Sequence, residues 1–567
     1  MDKAQTKPFV LHTPLFSSRH SSSKLGSALD LSKRCLHIPL ILTIFFILSS
    51  VDGYALTDGN ARKEASLPKG TNVGICIRTA DGRTLKEMNA DRNFIPASNL
   101  KTVTAALALQ KLGKDFRFGT AVAYSGEIDG KGVLRGDLYI IGGGDPTLGS
   151  DSPIAVQEDS LFADWERAVR KAGIRRIEGR IVGDSRAMPS RMRGSWMYED
   201  HGTYYGASFS ALMFNRNRLE ITLRPGESAG ADVRLPDAVR LGGGDVFTPE
   251  EYPWMKIKNE CTTGAKGSGD QSYLLVSEFA PLARLTGTYA IDRQARKISF
   301  NDPFADFTCA YRFAMHLYAS GIPCGGVSAT SPCHPTAGFD ARPAGMFPAP
   351  SFGFESFGST DSRTPLVADC FVKADSLKIL TVTQSPALWS IVRETLRESD
   401  NLFAETLLRA LAVKPLQNKD GDWAPPVFPD EEEALRTERS MLASLGIETI
   451  GIRIDDGCGL SRKTSVSPTF MTEVLLKMQK QSCAQDYLNA FNTPGTDERL
   501  FSGAPAEIRA RVRLKSGSMG GILCYCGYIL PSSGSGAVAF SIMINGATRS
   551  FAELRSYIES VLIEYLQ

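Results

Sequence analysis

A serine and a lysine three residues apart open a predicted helix near the start of the chain. Ser98 and Lys101 lie in the segment PASNLK, and apolar residues at helical spacing follow them until Gly113. This spacing places the hydroxyl and the amine on one helical face, within potential contact. A neutral lysine can act as base for a serine nucleophile, and a helix N-terminus favours the negative charge that develops there. Taken alone, the pair is more often a plain helix cap.

Two further polar motifs follow much later in the chain. Ser399–Asn401 (SDN) interrupts a stretch with helical apolar spacing, which predicts a loop between two helices. Its hydroxyl can relay a proton, and its amide can hold a substrate carbonyl or the lysine amine. Lys515–Ser518 (KSGS) ends an alternating strand, where the lysine supplies a cation for a carboxylate and the glycine lets a substrate backbone approach. The ordinary interpretations are a helix cap and a charged strand end.

The elements around these motifs predict one sheet built from both ends of the chain. A hairpin near the start and three antiparallel strands near the end alternate apolar and polar residues, and an amphipathic helix closes the chain. We expect the five strands to form a single sheet with that helix across it. The strand segments are 72–80, 84–88, 510–514, 522–530 and 537–544.

The middle of the chain reads as a large insertion. Short strands broken by glycine predict a mostly β region, and 304–320 is predicted to be helical again. Residues 331–364 are rich in Pro, Ser and Gly and are predicted to be loop. The expected domains are a leader at 1–55, a discontinuous catalytic domain at 56–117 and 300–567, and one or two nested β-rich domains at 118–299.

The start of the chain predicts export. The apolar run at 38–51 is shorter than the roughly 20 residues of a membrane span. It follows Lys33 and Arg34 and precedes small residues, which is typical of a secretory signal cleaved near Ala55. An uncleaved anchor and a translation start at a later Met stay open. We expect the periplasm or cell envelope, with at most peripheral membrane contact.

Charge and cysteine usage narrow the function further. The 567 residues contain 64 Lys plus Arg and 62 Asp plus Glu, a net charge of +2 that predicts no nucleic-acid partner. Ten cysteines follow the leader, and their pairing is open. The only group with metal-like residue types is Cys324, Cys333 and His334, and it lacks a second ligand pair. We predict no metal and no cofactor.

Together, the three motifs resemble those of the penicillin-recognising serine enzymes, where S-x-x-K, S-D-N and K-[ST]-G occur in this order. The chain is most similar to the D-alanyl-D-alanine carboxypeptidase/endopeptidase family of class C low-molecular-mass penicillin-binding proteins. The 301 positions between Ser98 and Ser399 match the long β-rich insertion of that family. Segments 138–148, 397–408 and 456–462 resemble it too.

The resemblance implies an α+β fold, the β-lactamase/transpeptidase-like domain with a five-stranded antiparallel sheet flanked by helices. It also implies a substrate, the peptidoglycan stem peptide ending in D-Ala-D-Ala, and β-lactam antibiotics as covalent inhibitors. Where the family usually has Thr, this chain has Ser516 and Ser518, and Cys458 replaces a usual Ser. The loop at 331–364 is enlarged.

The family mechanism gives each motif residue an expected role. Ser98 is the nucleophile, Lys101 its base, made neutral by burial and by the nearby Lys515, and Ser399 a proton relay. The backbone amides of Ser98 and Ser518 form the oxyanion hole. The expected substrate-binding residues are Asn401, Lys515, Ser516, Gly517 and Ser518.

Three other functions remain open on sequence alone. A serine β-lactamase would share the acylation step, although the long gap between the first two motifs argues against it. A cell-wall binding protein without activity would have no need of the complete motif set. An esterase of the same fold would hydrolyse short acyl esters without releasing D-Ala.

Overall fold

The structure is a computed structural model, and it describes residue 67 and residues 69–188, 194–242, 244–331, 335–339, 350–354, 377–413, 426–496, 498–532 and 536–566. The expected leader, Cys333 and His334 lie outside the described residues. Among the described helices, none is long and apolar enough to cross a membrane.

The strands are β1 (Asn72–Arg78), β2 (Thr84–Met88), β3 (Gly119–Tyr124), β4 (Glu127–Ile128), β5 (Val133–Arg135), β6 (Leu138–Ile141), β7 (Arg176–Asp184), β8 (Arg218–Leu223), β9 (Ala238–Leu241), β10 (Val246–Pro249), β11 (Lys256–Asn259), β12 (Thr262–Gly264), β13 (Tyr273–Val276), β14 (Leu282–Thr286), β15 (Thr288–Ala290), β16 (Arg296–Asn301), β17 (Cys324–Ala329), β18 (Pro335–Phe339), β19 (Pro350–Phe354), β20 (Lys378–Gln384), β21 (Val512–Met519), β22 (Ile522–Ile529) and β23 (Val538–Asn545). The α-helices are α1 (Lys101–Leu112), α2 (Glu158–Lys171), α3 (Ala305–Ala319), α4 (Leu388–Arg397), α5 (Asn401–Ala410), α6 (Glu431–Ser444), α7 (Pro468–Met478), α8 (Ala484–Ala490), α9 (Ala506–Arg511) and α10 (Phe551–Leu562).

The expected sheet from both chain ends is confirmed. Its order is β2-β1-β23-β22-β21, and the neighbouring strands are antiparallel. The last of these strands begins at Val512, because the residues before it form α9, and it runs through the whole KSGS motif. The motif is therefore part of an edge strand of this sheet rather than the turn after it.

Period-two alternation divides the residues of this sheet between two cores. Cys524, Cys526 and Met543 face a core shared with α1, α4, α5 and α7. Tyr525 and Ile542 face the opposite core, which α10 covers with Leu554, Ile558, Val561 and Leu562. The sheet thus separates a helical layer, which carries the first two motifs, from the final helix.

The inserted region is built on a second, mixed sheet. Its main order is β19-β18-β17-β7-β6-β3-β20, with β5 joining β7 and β4 at one side. A smaller five-stranded sheet has the order β13-β14-β11-β10-β9, and β8 pairs with β16. Helices α2 and α3 share one hydrophobic core with these strands.

The second sheet extends past residue 299, the expected end of the insertion. The sequence places the end of the insertion at residue 299, but α3 and β17 belong to the second sheet and its core. Strand β20 pairs antiparallel with β3 and forms one edge of this sheet, and it ends at Gln384. We therefore propose that the inserted region continues to Gln384, where β20 ends.

The prediction of a structureless loop at 331–364 is wrong where the structure describes it. Strands β18 and β19 pair with each other, and β18 continues the sheet beyond β17. The Pro- and Gly-rich composition hides these strands, because such residues are depleted in strands and tolerated mainly at sheet edges.

Trp165 of α2 allows a test of the inserted core. The indole is fully buried, and its Nε1 donates to Thr383 Oγ1 of β20 at 2.8 Å. We expect Trp165→Ala to lower the free energy of unfolding by about 3–5 kcal/mol, because it empties the site of a large buried ring. Phe279→Ala is the control, since this ring is 61% exposed and its loss should change stability by less than about 0.5 kcal/mol. If urea titrations gave the same loss of unfolding free energy for both variants, the burial of Trp165 in the core would be contradicted.

Candidate active site

Ser98 lies in a 3-10 turn, Ala97–Leu100, that runs directly into α1. Ala97 adopts a left-handed backbone with φ 48°, which non-glycine residues seldom do. Lys101 is the first residue of α1, and its Nζ lies 2.9 Å from Ser98 Oγ. The expected contact between hydroxyl and amine is present, although Ser98 belongs to the turn before the α-helix.

The SDN motif forms the loop between α4 and α5. Ser399 has φ 58°, another left-handed backbone, and Asp400 caps α5 by accepting from Phe403 N at 3.1 Å. Asn401 Oδ1 accepts from Lys101 Nζ at 2.6 Å. The second motif therefore reaches the first across 300 positions of sequence.

Lys515 of β21 joins the third motif to the second. Its Nζ donates to Ser399 Oγ at 2.9 Å and to Ser516 O at 2.7 Å. All three motifs thus meet at one place. A cleft of about 1070 Å³ opens over them, and the motif residues that line it are Ser98, Ser399, Asp400, Asn401 and Ser518.

Lys101 is completely buried. Burial lowers the pKa of its amine below the ordinary lysine value, because a charged ammonium loses its hydration. The carboxylates of Asp456, Asp400 and Glu405 act in the opposite direction. Burial and the charge of Lys515 are the two causes expected to lower the pKa of Lys101. Of these two causes, burial is the one that acts on it.

Lys515 is nearly as buried, at 1% exposed. Burial first, and then the neighbouring charge of Lys101, lowers the pKa of Lys515 to about 8. The expected repulsion between the two lysines therefore acts on Lys515. At neutral pH Lys515 keeps its charge.

Gly517 is needed where β21 passes the turn Ala97–Leu100, which carries Ser98. A Cβ at this position would lie 2.7 Å from Pro96 O, 2.8 Å from Asn99 N and 2.9 Å from Ser98 N. Real carbon atoms do not approach so closely, so only glycine lets the strand lie against the turn. This contact places the backbone of β21 directly beside the Ser98 amide.

The two serines of the third motif differ in environment. Ser518 lines the cleft. Ser516 Oγ donates to Glu498 Oε1 at 2.7 Å, and its backbone N donates to the same oxygen at 3.2 Å. A role of Ser516 in holding a substrate carboxylate thus requires its hydroxyl to turn away from Glu498.

A buried loop after α6 completes the surroundings of Lys101. Cys458 O accepts from Lys101 Nζ at 2.9 Å, and Glu405 Oε1 accepts from the backbone N of Gly457 and Cys458 at 2.7 and 3.0 Å. Because residue 458 contacts the lysine through its carbonyl, the exchange of serine for cysteine keeps this contact. The thiol itself lies 3.5 Å from Asp456 Oδ2.

Glu405, Asp456 and Cys458 also form the one group of possible metal ligands found among the described residues. Backbone N–H groups and Trp196 Nε1 already donate to the two carboxylates. Burial raises the pKa of the Cys458 thiol well above its ordinary value, so the sulfur is protonated and a poor ligand. The chemistry of this group therefore suits hydrogen bonds that stabilise the loop of residues 456–461 better than it suits a metal centre.

Sequence reasoning missed the residues that the inserted region contributes. Tyr205 O accepts from Asn401 Nδ2 at 2.8 Å, and Arg216 Nε donates to Asp400 Oδ2 at 2.9 Å. Neither residue belongs to a motif with a known spacing. The one local signal is the polar NRN segment before β8, at 215–217.

A serine beside a buried lysine, an SDN motif bonded to that lysine and a KSG lysine bonded to the SDN serine define the class of penicillin-recognising serine enzymes. Within that class, the chain belongs to the D-Ala-D-Ala carboxypeptidase 3 (S13) family, which it matches over residues 60–322 and 371–563. It is accordingly a hydrolase of the carboxypeptidase type.

Named relatives agree with this assignment. The D-alanyl-D-alanine carboxypeptidase of Actinomadura sp. (strain R39) is 26% identical over 491 residues, which cover 83% of this chain and 77% of the relative. The crystal structure of penicillin binding protein 4 from Haemophilus influenzae has a TM-score of 0.66 at 22% identity, covering 88% of this chain and 98% of that one. The same protein complexed with a β-lactam has a TM-score of 0.62 at 20% identity, with the same coverage. These structures share the fold.

The close approach at Gly517 gives a test of the site. We expect Gly517→Ala to slow penicillin acylation by about 100-fold, because its methyl group pushes β21 away from the turn that carries Ser98. Overpacking should also lower the free energy of unfolding by about 1–3 kcal/mol. Acylation is followed with a fluorescent penicillin, and Gly130→Ala is the control, since no heavy atom lies within 4 Å of its added Cβ. Wild-type acylation by Gly517→Ala would show that the strand need not touch the turn.

Proposed function

We propose that the chain removes the terminal D-Ala of peptidoglycan stem peptides through an acyl-enzyme on Ser98. The observation that carries this proposal is the pair of contacts made by two buried lysines with residues that line one cleft, Lys101 with Ser98 and Asn401, and Lys515 with Ser399. The family assignment supports the reaction class.

The hydrogen bonds of Lys101 explain how it can act as the base. A neutral amine has two N–H groups and one lone pair. Asn401 Oδ1 and Cys458 O accept the two protons, at 2.6 and 2.9 Å. The lone pair then faces the third neighbour, Ser98 Oγ, at 2.9 Å. The serine hydroxyl donates to this lone pair, so its proton moves to Lys101 as Ser98 attacks.

Lys515 is the proposed anchor for the carboxylate of the terminal D-Ala. As a cation it has three N–H groups, and Ser399 Oγ and Ser516 O take two of them within the described residues. The third is left for a substrate carboxylate. Ser518 lines the same cleft and adds a hydroxyl, and Ser516 would join them by turning from Glu498.

The proposed reaction begins with attack by Ser98 and ends with hydrolysis of the acyl-enzyme. Ser98 Oγ bonds to the carbonyl carbon of the penultimate D-Ala, and the backbone amides of Ser98 and Ser518 hold the oxyanion, each contributing about 3 kcal/mol. Asn401 positions the peptide. The proton taken by Lys101 passes through Ser399 to the leaving amine, and D-Ala departs. Water hydrolyses the ester and regenerates Ser98.

A cross-linked peptide fits the same chemistry. If the leaving amine belongs to a neighbouring stem peptide, the same steps cut a cross-link, which is endopeptidase activity. A cleft of about 1070 Å³ is larger than a dipeptide needs and extends over residues of the inserted region. β-Lactams present a carboxylate and a strained amide to the same groups, so they acylate Ser98. The proposed location is outside the cytoplasm, at the periplasm or cell envelope, as the leader pattern indicates.

Acylation by penicillin tests the nucleophile. We expect a covalent adduct whose peptide mass locates the drug on Ser98, and none with Ser98→Ala, because Ser98 Oγ is the hydroxyl that contacts Lys101 Nζ among the described residues. Ser444→Ala on the exposed face of α6 is the control and should label normally. An adduct on Ser98→Ala equal to wild type would refute the assignment. Rapid, repeated hydrolysis of nitrocefin would instead favour a β-lactamase.

The charge of Lys515 gives a pH dependence. Its pKa of about 8 means that it is a cation below pH 8 and loses its proton above. We therefore expect kcat/KM for D-Ala release to fall about tenfold per pH unit above pH 8, as the carboxylate anchor is lost. Lys515→Arg keeps its charge to above pH 12 and should remove this falling limb, although its overall rate will be lower. The same limb in both proteins would show that another group titrates there.

A further inference from the structure

The inserted region reaches the SDN loop through a buried ion pair. Arg216 Nε donates to Asp400 Oδ2 at 2.9 Å, and Nη2 contacts the same oxygen. The two side chains are only 11% and 8% exposed. The guanidinium also lies over the Phe403 ring, 5.6 Å from its centroid. Arg216 lines the cleft, but it touches neither Ser98 nor either lysine in any described contact. Its described contact with the three motifs is the one with Asp400.

The backbone that carries Arg216 is strained. Asn215, Arg216 and Asn217 have φ values of 48°, 55° and 50°, three consecutive non-glycine residues in the left-handed region. Such a conformation costs free energy and persists only where the surroundings fix it. Asn217 fixes it here, since its Oδ1 accepts from Phe214 N at 3.1 Å and its Nδ2 donates to Ser208 O at 2.6 Å. These hydrogen bonds fix the backbone from which the Arg216 side chain extends toward Asp400.

Asp400 is held at both carboxylate oxygens. Oδ2 accepts from Arg216, while Oδ1 accepts from Phe403 N at 3.1 Å and caps α5. Its two neighbours in sequence are the motif residues that contact the lysines, Ser399 with Lys515 and Asn401 with Lys101. A carboxylate fixed between them restrains both contacts at once.

A second contact from the inserted region acts on the same loop. Tyr205 O accepts from Asn401 Nδ2 at 2.8 Å. Because the amide nitrogen is held there, the amide oxygen must point the other way, toward Lys101 Nζ. The inserted region thereby orients the Asn401 amide, whose oxygen accepts one N–H of Lys101, the proposed base.

We propose that Arg216 is a positioning residue of the active site, which fixes Asp400 and through it sets Ser399 and Asn401 against the two lysines. This inference rests on the proposed function and assigns part of the site to the inserted region. The inserted region is then required for chemistry in the cleft, in addition to any role in binding the wall.

The test compares labelling time courses with fluorescent penicillin. Arg216→Gln should lower the acylation rate constant by about 100-fold, the loss that a displacement of about 1 Å produces in a site of this kind. The final extent of labelling should remain that of the folded protein. A purely structural defect does the reverse, because it leaves fewer competent molecules that each react at the normal rate.

The matched control is Arg312→Gln. Arg312 is also in the inserted region and pairs with Glu158 at 2.8 Å, but it does not line the cleft. This variant should label at the wild-type rate constant. Folded Arg216→Gln with the wild-type rate constant would overturn the inference alone. A wild-type chain that forms no adduct would overturn the proposed function as well.

A second variant guards against failure to fold. Arg216→Gln leaves the buried Asp400 carboxylate without its partner, which is destabilising. The double variant Arg216→Gln with Asp400→Asn removes both charges and keeps an oxygen to cap Phe403 N. We expect it to fold and still to acylate at least tenfold more slowly than wild type, since the link to the inserted region is absent. A wild-type rate constant in the double variant would also overturn the inference.

Discussion

The removal of Lys101 from water is the constraint on which the site depends. An exposed lysine amine is protonated at neutral pH and cannot take a proton from serine. Complete burial lowers its pKa, and the acceptors Asn401 Oδ1 and Cys458 O direct its remaining N–H groups away from Ser98. Three carboxylates nearby limit this effect, and each is itself occupied by backbone or side-chain donors. The fold must therefore exclude water from one amine while leaving the serine beside it open to a cleft.

Each neighbour of that lysine comes from a different part of the chain. The turn before α1 supplies Ser98, the break between α4 and α5 supplies Asn401, and the loop after α6 supplies Cys458. Edge strand β21 brings Lys515 against the same turn, a contact that only glycine at 517 permits. The inserted region contributes the fifth element through Tyr205 and Arg216. No single one of these segments contains a site, and the geometry exists only where all of them pack together.

The sequence alone predicts the parts that carry a local signature. Ser98 with Lys101, SDN and KSGS have fixed spacings in identifiable elements, and alternating residues mark the five strands of the first sheet. The link between Arg216 and Asp400 spans 184 positions and starts from a left-handed turn without glycine, so no local pattern marks it. Cys458 acts through a backbone carbonyl, which any residue carries. The pairing of β20 with β3 joins strands about 260 positions apart, so no local pattern indicates that the second sheet extends to Gln384.

The strand order β2-β1-β23-β22-β21 has a consequence for synthesis. Until β23 (Val538–Asn545) leaves the ribosome, β1 has only β2 as a partner, and an isolated two-stranded hairpin is marginal in water. The inserted region is contiguous in sequence and can acquire its own core much earlier. A chain that ends before β21 therefore has the segment of Ser98 without the third motif beside it. The proposed site is therefore assembled only once β21 has been synthesised and lies against the turn that carries Ser98.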